Sequence, residues 1–248
     1  MNNATKQQLK KPDQFVSLTE HGIAWAGNNR RTAAIAAAVA VLAILGSVGG
    51  YVGYEHRSTA AATAFGAAMQ IYQTPLITPG QQTPPGMKSY ATANERAAAA
   101  NAQFSAIAQR YGLTPSGRLA LYFAGLTFME EGQNGSAEST LKTVAGSWDH
   151  DLAASAELAL AQLYQQTGRD ALAVDVYNQL AKGHATTVPP FLAQLQLAEM
   201  YTTEGKTDKA KEIYAKIKDQ DKDAKGDPGP AGSIAKDKLD PKPAGPQR

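Results

Sequence analysis

Residues able to do chemistry are few and scattered in this 248-residue chain, which has no cysteine and four histidines, His21, His56, His150 and His184. Without cysteine there is no disulfide, thiolate metal site, thiol nucleophile or lipid-modified N-terminal cysteine. The sequence holds no glycine-rich nucleotide fingerprint, no HExxH and no GxSxG elbow. Glu130-Glu131 is an adjacent acidic pair, but it falls at the end of an expected helix just before Gly132, where a solvated helix end is expected rather than an acid/base pair. His150 lies between Asp149 and Asp151 in what reads as an exposed linker, a poor place for a metal or a pH sensor. No catalytic residue, metal or cofactor is expected, which leaves a binding surface.

A repeat defines that surface. With Gly125, Ala161 and Ala198 taken as one column, the residue three further on is Phe128, Tyr164 and Tyr201, and seven further on it is Gly132, Gly168 and Gly205. Twelve further on stand Ala137, Ala173 and Ala210, then Leu141, Tyr177 and Tyr214, and finally Val144, Leu180 and Ile217. A small residue lets two helices cross closely, the aromatic one turn later fills the space beside it, and glycine ends the first helix in a left-handed turn. Alanine provides the second close crossing, and the last two columns pack the second helix against the next unit. The spacing between copies is close to the period of about 34 of tetratricopeptide (TPR) repeats.

An earlier half copy is visible in Ala100, Phe104 and Ile107. Its first helix is expected over 59–72, with Gly66 and Met69 in the small and large columns, separated from the second helix by the Pro-rich insert 74–87. The expected fold is all-α: a TPR-like α-solenoid of about 3.5 repeats over residues 58–218. First helices of such pairs line the concave face. Tyr122, Leu126, Leu158, Gln162, Leu195 and Glu199 are therefore expected to form a peptide-binding groove. The groove is apolar and amide-rich and lacks the Lys, Asn and Arg that grip a C-terminal carboxylate, so an extended apolar segment is the expected ligand.

Composition agrees with packed helices: apolar residues make up 43% of the chain and aromatics only 7%. A net charge of +2 is too near balance for a nucleic-acid surface, so no nucleic-acid partner is expected. The charges are not spread evenly, because Ala33 to Tyr54 has none. As a helix this run would measure about 33 Å, enough to span a bilayer once. More than thirty residues precede it, which suits a retained signal anchor (residues 32–57) better than a cleaved leader. Lys6, Lys10, Lys11, Arg30 and Arg31 lie on its N-terminal side, so residues 1–31 are expected in the cytoplasm and the repeats on the far side. Phe15, Leu18, Gly22 and Trp25 share one side of a short expected helix over 13–26 that would lie on the membrane surface. Gly46 and Gly50, with Gly49 and Gly53, form two small-xxx-small pairs suited to helix–helix contact in the membrane. Residues 219–248, charge-balanced and Pro-rich, read as a disordered, solvated tail.

The order of parts, from DQFVSLTEHGIAWAGNNRR through one anchor to the repeat columns, resembles the YfgM-like family of bacterial inner-membrane proteins, ancillary subunits of the SecYEG translocon. The resemblance implies a single-pass inner-membrane protein with a periplasmic TPR-like domain. It implies as partners the Sec translocon subunits, a periplasmic chaperone or prolyl-isomerase-like protein, and exported chains. An envelope-assembly scaffold that links inner-membrane machinery to cell-wall or outer-membrane factors is the alternative.

Overall fold

A computed structural model describes residues 29–77, 89–223 and 225–240. The surface helix expected over 13–26 and most of the Pro-rich insert lie outside these residues. Among the described residues the chain is helical and has no strand, only two isolated bridges, Leu76 with Tyr90 and Lys222 with Pro228. The helices are α1 (Arg30–Tyr72), α2 (Ala93–Tyr111), α3 (Pro115–Glu130), α4 (Asn134–Ala145), α5 (His150–Gln166), α6 (Asp170–Leu180), α7 (Pro190–Thr203), α8 (Thr207–Gln220) and α9 (Pro230–Leu239). They fall into two units, Met1–His56 and Arg57–Arg248.

In the first unit, the described residues are essentially the N-terminal part of α1. Its most apolar 18-residue window has a mean hydropathy of 2.2 and buries none of its residues within the chain. Ile35 and Leu42 are about two-thirds exposed (66% and 68%). A helix of this length and composition can cross a membrane. An Arg30-Arg31 pair stands at one end of the uncharged run, with Tyr51 and Tyr54 near the other.

The second unit is built by pairing. α3 packs on α4, α5 on α6 and α7 on α8, and each pair is joined to the next through α4 against α5 and α6 against α7. The turn inside each pair is the same. Gly132, Gly168 and Gly205 sit at φ of 73°, 69° and 74°, a region that side chains disfavour. In each, the residue after glycine returns its N–H to the aromatic column: Gln133 to Phe128 O (2.9 Å), Arg169 to Tyr164 O and Lys206 to Tyr201 O (both 2.8 Å). Glycine's own N–H bonds Met129 O, Gln165 O and Thr202 O respectively. This double closure satisfies the last carbonyls of the first helix and starts the second one residue later.

The remaining columns do what their residue types suggest. Ala161, Ala198, Ala137, Ala173 and Ala210 are buried, as are Leu141, Tyr177, Tyr214, Val144, Leu180 and Ile217. Tyr164 is buried, while Phe128 and Tyr201 are half-buried. Gly125 has no room for a side chain: a Cβ there would come within 2.7 Å of Leu141 Cδ2.

The half copy is also formed, with one change of register. Arg57 donates to Arg110 O (2.9 Å) and Arg96 to Thr74 O (3.3 Å), so the C-terminal stretch of α1 runs antiparallel to α2. Ala100, Phe104 and Ile107 are buried there. Gly66, the expected small-column residue, is exposed with open space around it, and the buried small residues are Ala61 and Ala68. The reason is the ring cluster of Phe65, Tyr72, Phe104 and Phe123, whose centroids lie 5.3–6.2 Å apart. Burying Phe65 and Tyr72 turns Ala68 inward and Gly66 outward.

The segment 219–240 corrects the expectation of a disordered tail. It contains α9, which packs on α8 and α7. Ala235 is fully buried against Ala198, Ala210, Tyr214 and Ile217. Asp221 fastens the helix: its Oδ2 accepts from Gly232 N–H (2.7 Å) and its carbonyl from Gly229 N–H (2.8 Å). α9 needs few large side chains because it docks through small ones, allowing its backbone close to the linker; a Cβ on Gly232 would meet Asp221 O at 2.6 Å. Residues 241–248 lie outside the description.

Candidate protein-binding face

α3, α5 and α7 place the six expected groove residues. Each helix starts and stops cleanly. Thr114 Oγ1 accepts from Gly117 N–H, and Asp149 Oδ1 from Leu152 N–H, before α3 and α5 respectively. Pro190 opens α7, where a missing N–H costs nothing. Tyr122, Leu126 and Leu158 are half-buried against the central core cluster, and burial raises the pKa of the Tyr122 hydroxyl above its ordinary value. Gln162 is half-buried on α5. Leu126 also lines a cavity of about 220 Å³ together with Tyr72, Met129, Glu130 and Gln166, between the C-terminal end of α1, α3 and α5.

The third pair of groove residues meets α9. Leu195 packs on the same cluster as Ala235 and Leu239. Glu199 Oε2 accepts from Tyr214 Oη (3.0 Å) and from Lys238 Nζ (2.8 Å), which together hold its carboxyl below the ordinary range. The sequence reading missed this neighbour, although its signal was present: Ala235 follows Ala198 by the same 37 residues that separate Ala198 from Ala161. α9 therefore stands where the first helix of another repeat would stand.

Glu130 is likewise more than a solvated helix end. It accepts a hydrogen bond from Tyr72 and lies 3.9 Å from Arg96, tying α3 to α1 and α2. Glu138 does the same between repeats. It accepts from Lys142 Nζ (2.8 Å), Arg169 Nη1 (2.6 Å) and Tyr164 Oη (3.2 Å), and the hydrogen bonds from Lys142 and Arg169 bring its pKa down to about 2. Among the described residues, and apart from chain neighbours and the helix's own backbone, nothing lies within 4 Å of a Cβ added at Gly46, Gly49, Gly50 or Gly53. Among the described residues no group of three or more His, Asp or Glu is placed to hold a metal ion.

No family model matches the chain, and no curated protein sequence does. Among solved structures it is similar to two crystal structures of a Podosopora anserina kinesin light chain protein with nearly identical TPR-like repeats, one of them a point variant. The point variant superposes with a TM-score of 0.51 at 18% identity, covering 74% of this chain and 84% of its own. The second gives a TM-score of 0.50 at 18% identity, over 75% and 85%. At this identity the likeness shows the fold: the chain is a TPR-like helical-repeat protein.

Proposed function

We propose that this protein is a membrane-anchored, periplasm-facing interaction protein, ancillary to the Sec translocon, that receives emerging chains and hands them to periplasmic chaperones. The observation that carries the reading is that α1 holds a bilayer-length uncharged run, Ala33 to Tyr54, directly ahead of a TPR-like array in sequence. The basic residues before the run support a cytoplasmic N-terminus with the array on the far side. The face formed by Tyr122, Leu126, Leu158, Gln162, Leu195 and Glu199 then meets client segments. The resemblance to YfgM-like proteins names the translocon and a chaperone or prolyl-isomerase-like protein as partners. Tethering matters energetically, since confinement beside a channel raises the local concentration of a weak binder to about the millimolar range.

The test is mass spectrometry of proteins that copurify from mildly solubilised native membranes, with an anchor-swapped chain as control. Translocon subunits and periplasmic chaperones that disappear when the anchor is exchanged support the reading. Recovery of cell-wall or outer-membrane assembly factors instead replaces it with an envelope scaffold.

A further inference from the structure

A second surface, lined by none of the six groove residues, lies between the linkers that join successive repeats. Linker 146–149 and linker 181–189 border a cleft of about 890 Å³. Its walls are fixed to each other. The Asp151 carboxylate accepts from Thr186 N–H (2.6 Å), Thr186 Oγ1 (2.8 Å) and Thr187 N–H (3.3 Å), and Thr187 Oγ1 donates to Asp151 O (2.7 Å). A cleft held open this way has already met the ordering cost of its loops before any ligand arrives.

Three features of this cleft describe its occupant. Its floor is apolar, made by the buried side chains of Ala154, Leu180 and Val188. At its edge Trp148 is 74% exposed, yet the Arg118 guanidinium sits 4.6 Å from its ring centroid and is itself held by Leu113 O (3.2 Å). A large exposed ring already ordered by its neighbours is the side-chain type that dominates protein interfaces. Along one wall the peptide groups of His184 and Ala185 make no hydrogen bond among the described residues, so they can serve an extended backbone laid beside them.

Charge gives the sign of the ligand. Among the described residues that line the cleft none is lysine or arginine, Arg118 meeting only the Trp148 ring at its edge, whereas Asp149, Asp151 and Glu157 line it. Asp149 caps α5 and Asp151 holds the linker, which leaves Glu157, whose one partner among the described residues is Gln179 Nε2 at 3.4 Å. Burial raises the pKa of that carboxyl, as expected for a carboxylate short of a counter-charge.

We propose that the inter-repeat cleft is a docking site for an extended apolar segment of a protein partner carrying a central lysine or arginine. The cation pairs with Glu157, the segment's backbone runs beside His184 and Ala185, and an apolar side chain packs on Trp148. No groove residue lines the cleft, and of the six only Leu158 packs on its floor, so variants at Leu126 and Gln162 test the groove separately.

The experiment uses the full chain in detergent micelles and fluorescence anisotropy of the labelled peptide Ala-Leu-Ala-Val-Lys-Val-Ala-Leu-Ala, with the version bearing Glu in place of Lys as comparison. The lysine peptide should bind saturably and the glutamate peptide about tenfold more weakly or worse. Trp148→Ala should weaken both peptides, whereas Glu157→Gln should lower lysine-peptide affinity about tenfold and erase the preference between the two. Leu126→Ala and Gln162→Ala, in the groove, should leave the lysine peptide unaffected. Equal affinity for the two peptides in the unmodified chain overturns the proposal. So does loss of binding in the groove variants with none in the cleft variants. Circular dichroism of each variant separates lost binding from lost fold.

Discussion

At the scale of single residues, the repeat columns make sharply different demands. Gly125 is set against Leu141 so closely that Gly125→Ala must displace that side chain or part the helices, at about 1–3 kcal/mol. Denaturant unfolding of the two chains side by side measures this, and an unchanged midpoint would mean that Leu141 moves freely. Tyr177 and Tyr214 occupy one column but differ at the hydroxyl. Tyr214 donates to Glu199, whereas the Tyr177 hydroxyl is buried without a hydrogen-bond partner among the described residues, and burial pushes its pKa up to about 12. Tyr177→Phe should therefore be neutral or stabilising, and Tyr214→Phe should cost about 1 kcal/mol. The order of the two melting temperatures decides it. Glu138 gives a pH dependence. Because Lys142 and Arg169 hold its folded pKa at about 2, the stability it contributes is fully present above the unfolded carboxylate value of about 4.3. That stability fades as pH falls towards 2. Glu138→Gln should flatten the acid limb of the stability profile between those values, with little change in its shape above pH 5.

At the scale of elements, the three full pairs were legible in the sequence because their requirements are local: a close crossing, an aromatic one turn on, and a glycine that can take positive φ. The first helix of the half copy was harder to register, since an alanine-rich stretch offers many small residues, and only the ring cluster shows that Ala68 rather than Gly66 faces inward. α9 was missed because composition hid it. Its contacts are made by Gly232 and Ala235 among lysines, aspartates and prolines, so the only sign was the 37-residue step from Ala198. The link from Asp151 to Thr186 and Thr187 bridges 35 and 36 positions and obeys no periodicity, so no local pattern announces it. If α9 serves as the end of the stack, a chain cut after Gln220 should lose about 2–4 kcal/mol, since Tyr214, Ile217 and Leu195 would gain solvent contact. The melt of that truncated chain against the intact one, with Lys238→Ala as a milder variant, reports whether α9 bears on the fold; coincident melts would make it a loosely attached appendage.

At the scale of the whole molecule, the proposed role depends on which side of a membrane the array occupies, and α1 carries the information. Its uncharged run presents Ile35, Leu42, Leu45 and Val48 uncovered by any other of the described residues, an exposure that lipid or a partner helix makes favourable. Membranes washed with alkaline carbonate should therefore retain the full chain and release one that begins at Arg57. Protease added to intact spheroplasts should digest the repeats and spare an N-terminal epitope, whereas protection of the repeats would place them in the cytoplasm and remove periplasmic clients from consideration. The same helix bears Gly46, Gly49, Gly50 and Gly53, beside which no other element among the described residues packs. If those faces meet another membrane helix, Gly46→Leu with Gly50→Leu should break the association while leaving carbonate resistance intact, because leucine lengthens contact with lipid but keeps two backbones apart. Copurification from the double variant separates the two duties of the helix. Partners lost with the chain still embedded would assign recognition to the glycine faces, and partners retained would leave it to the repeats alone.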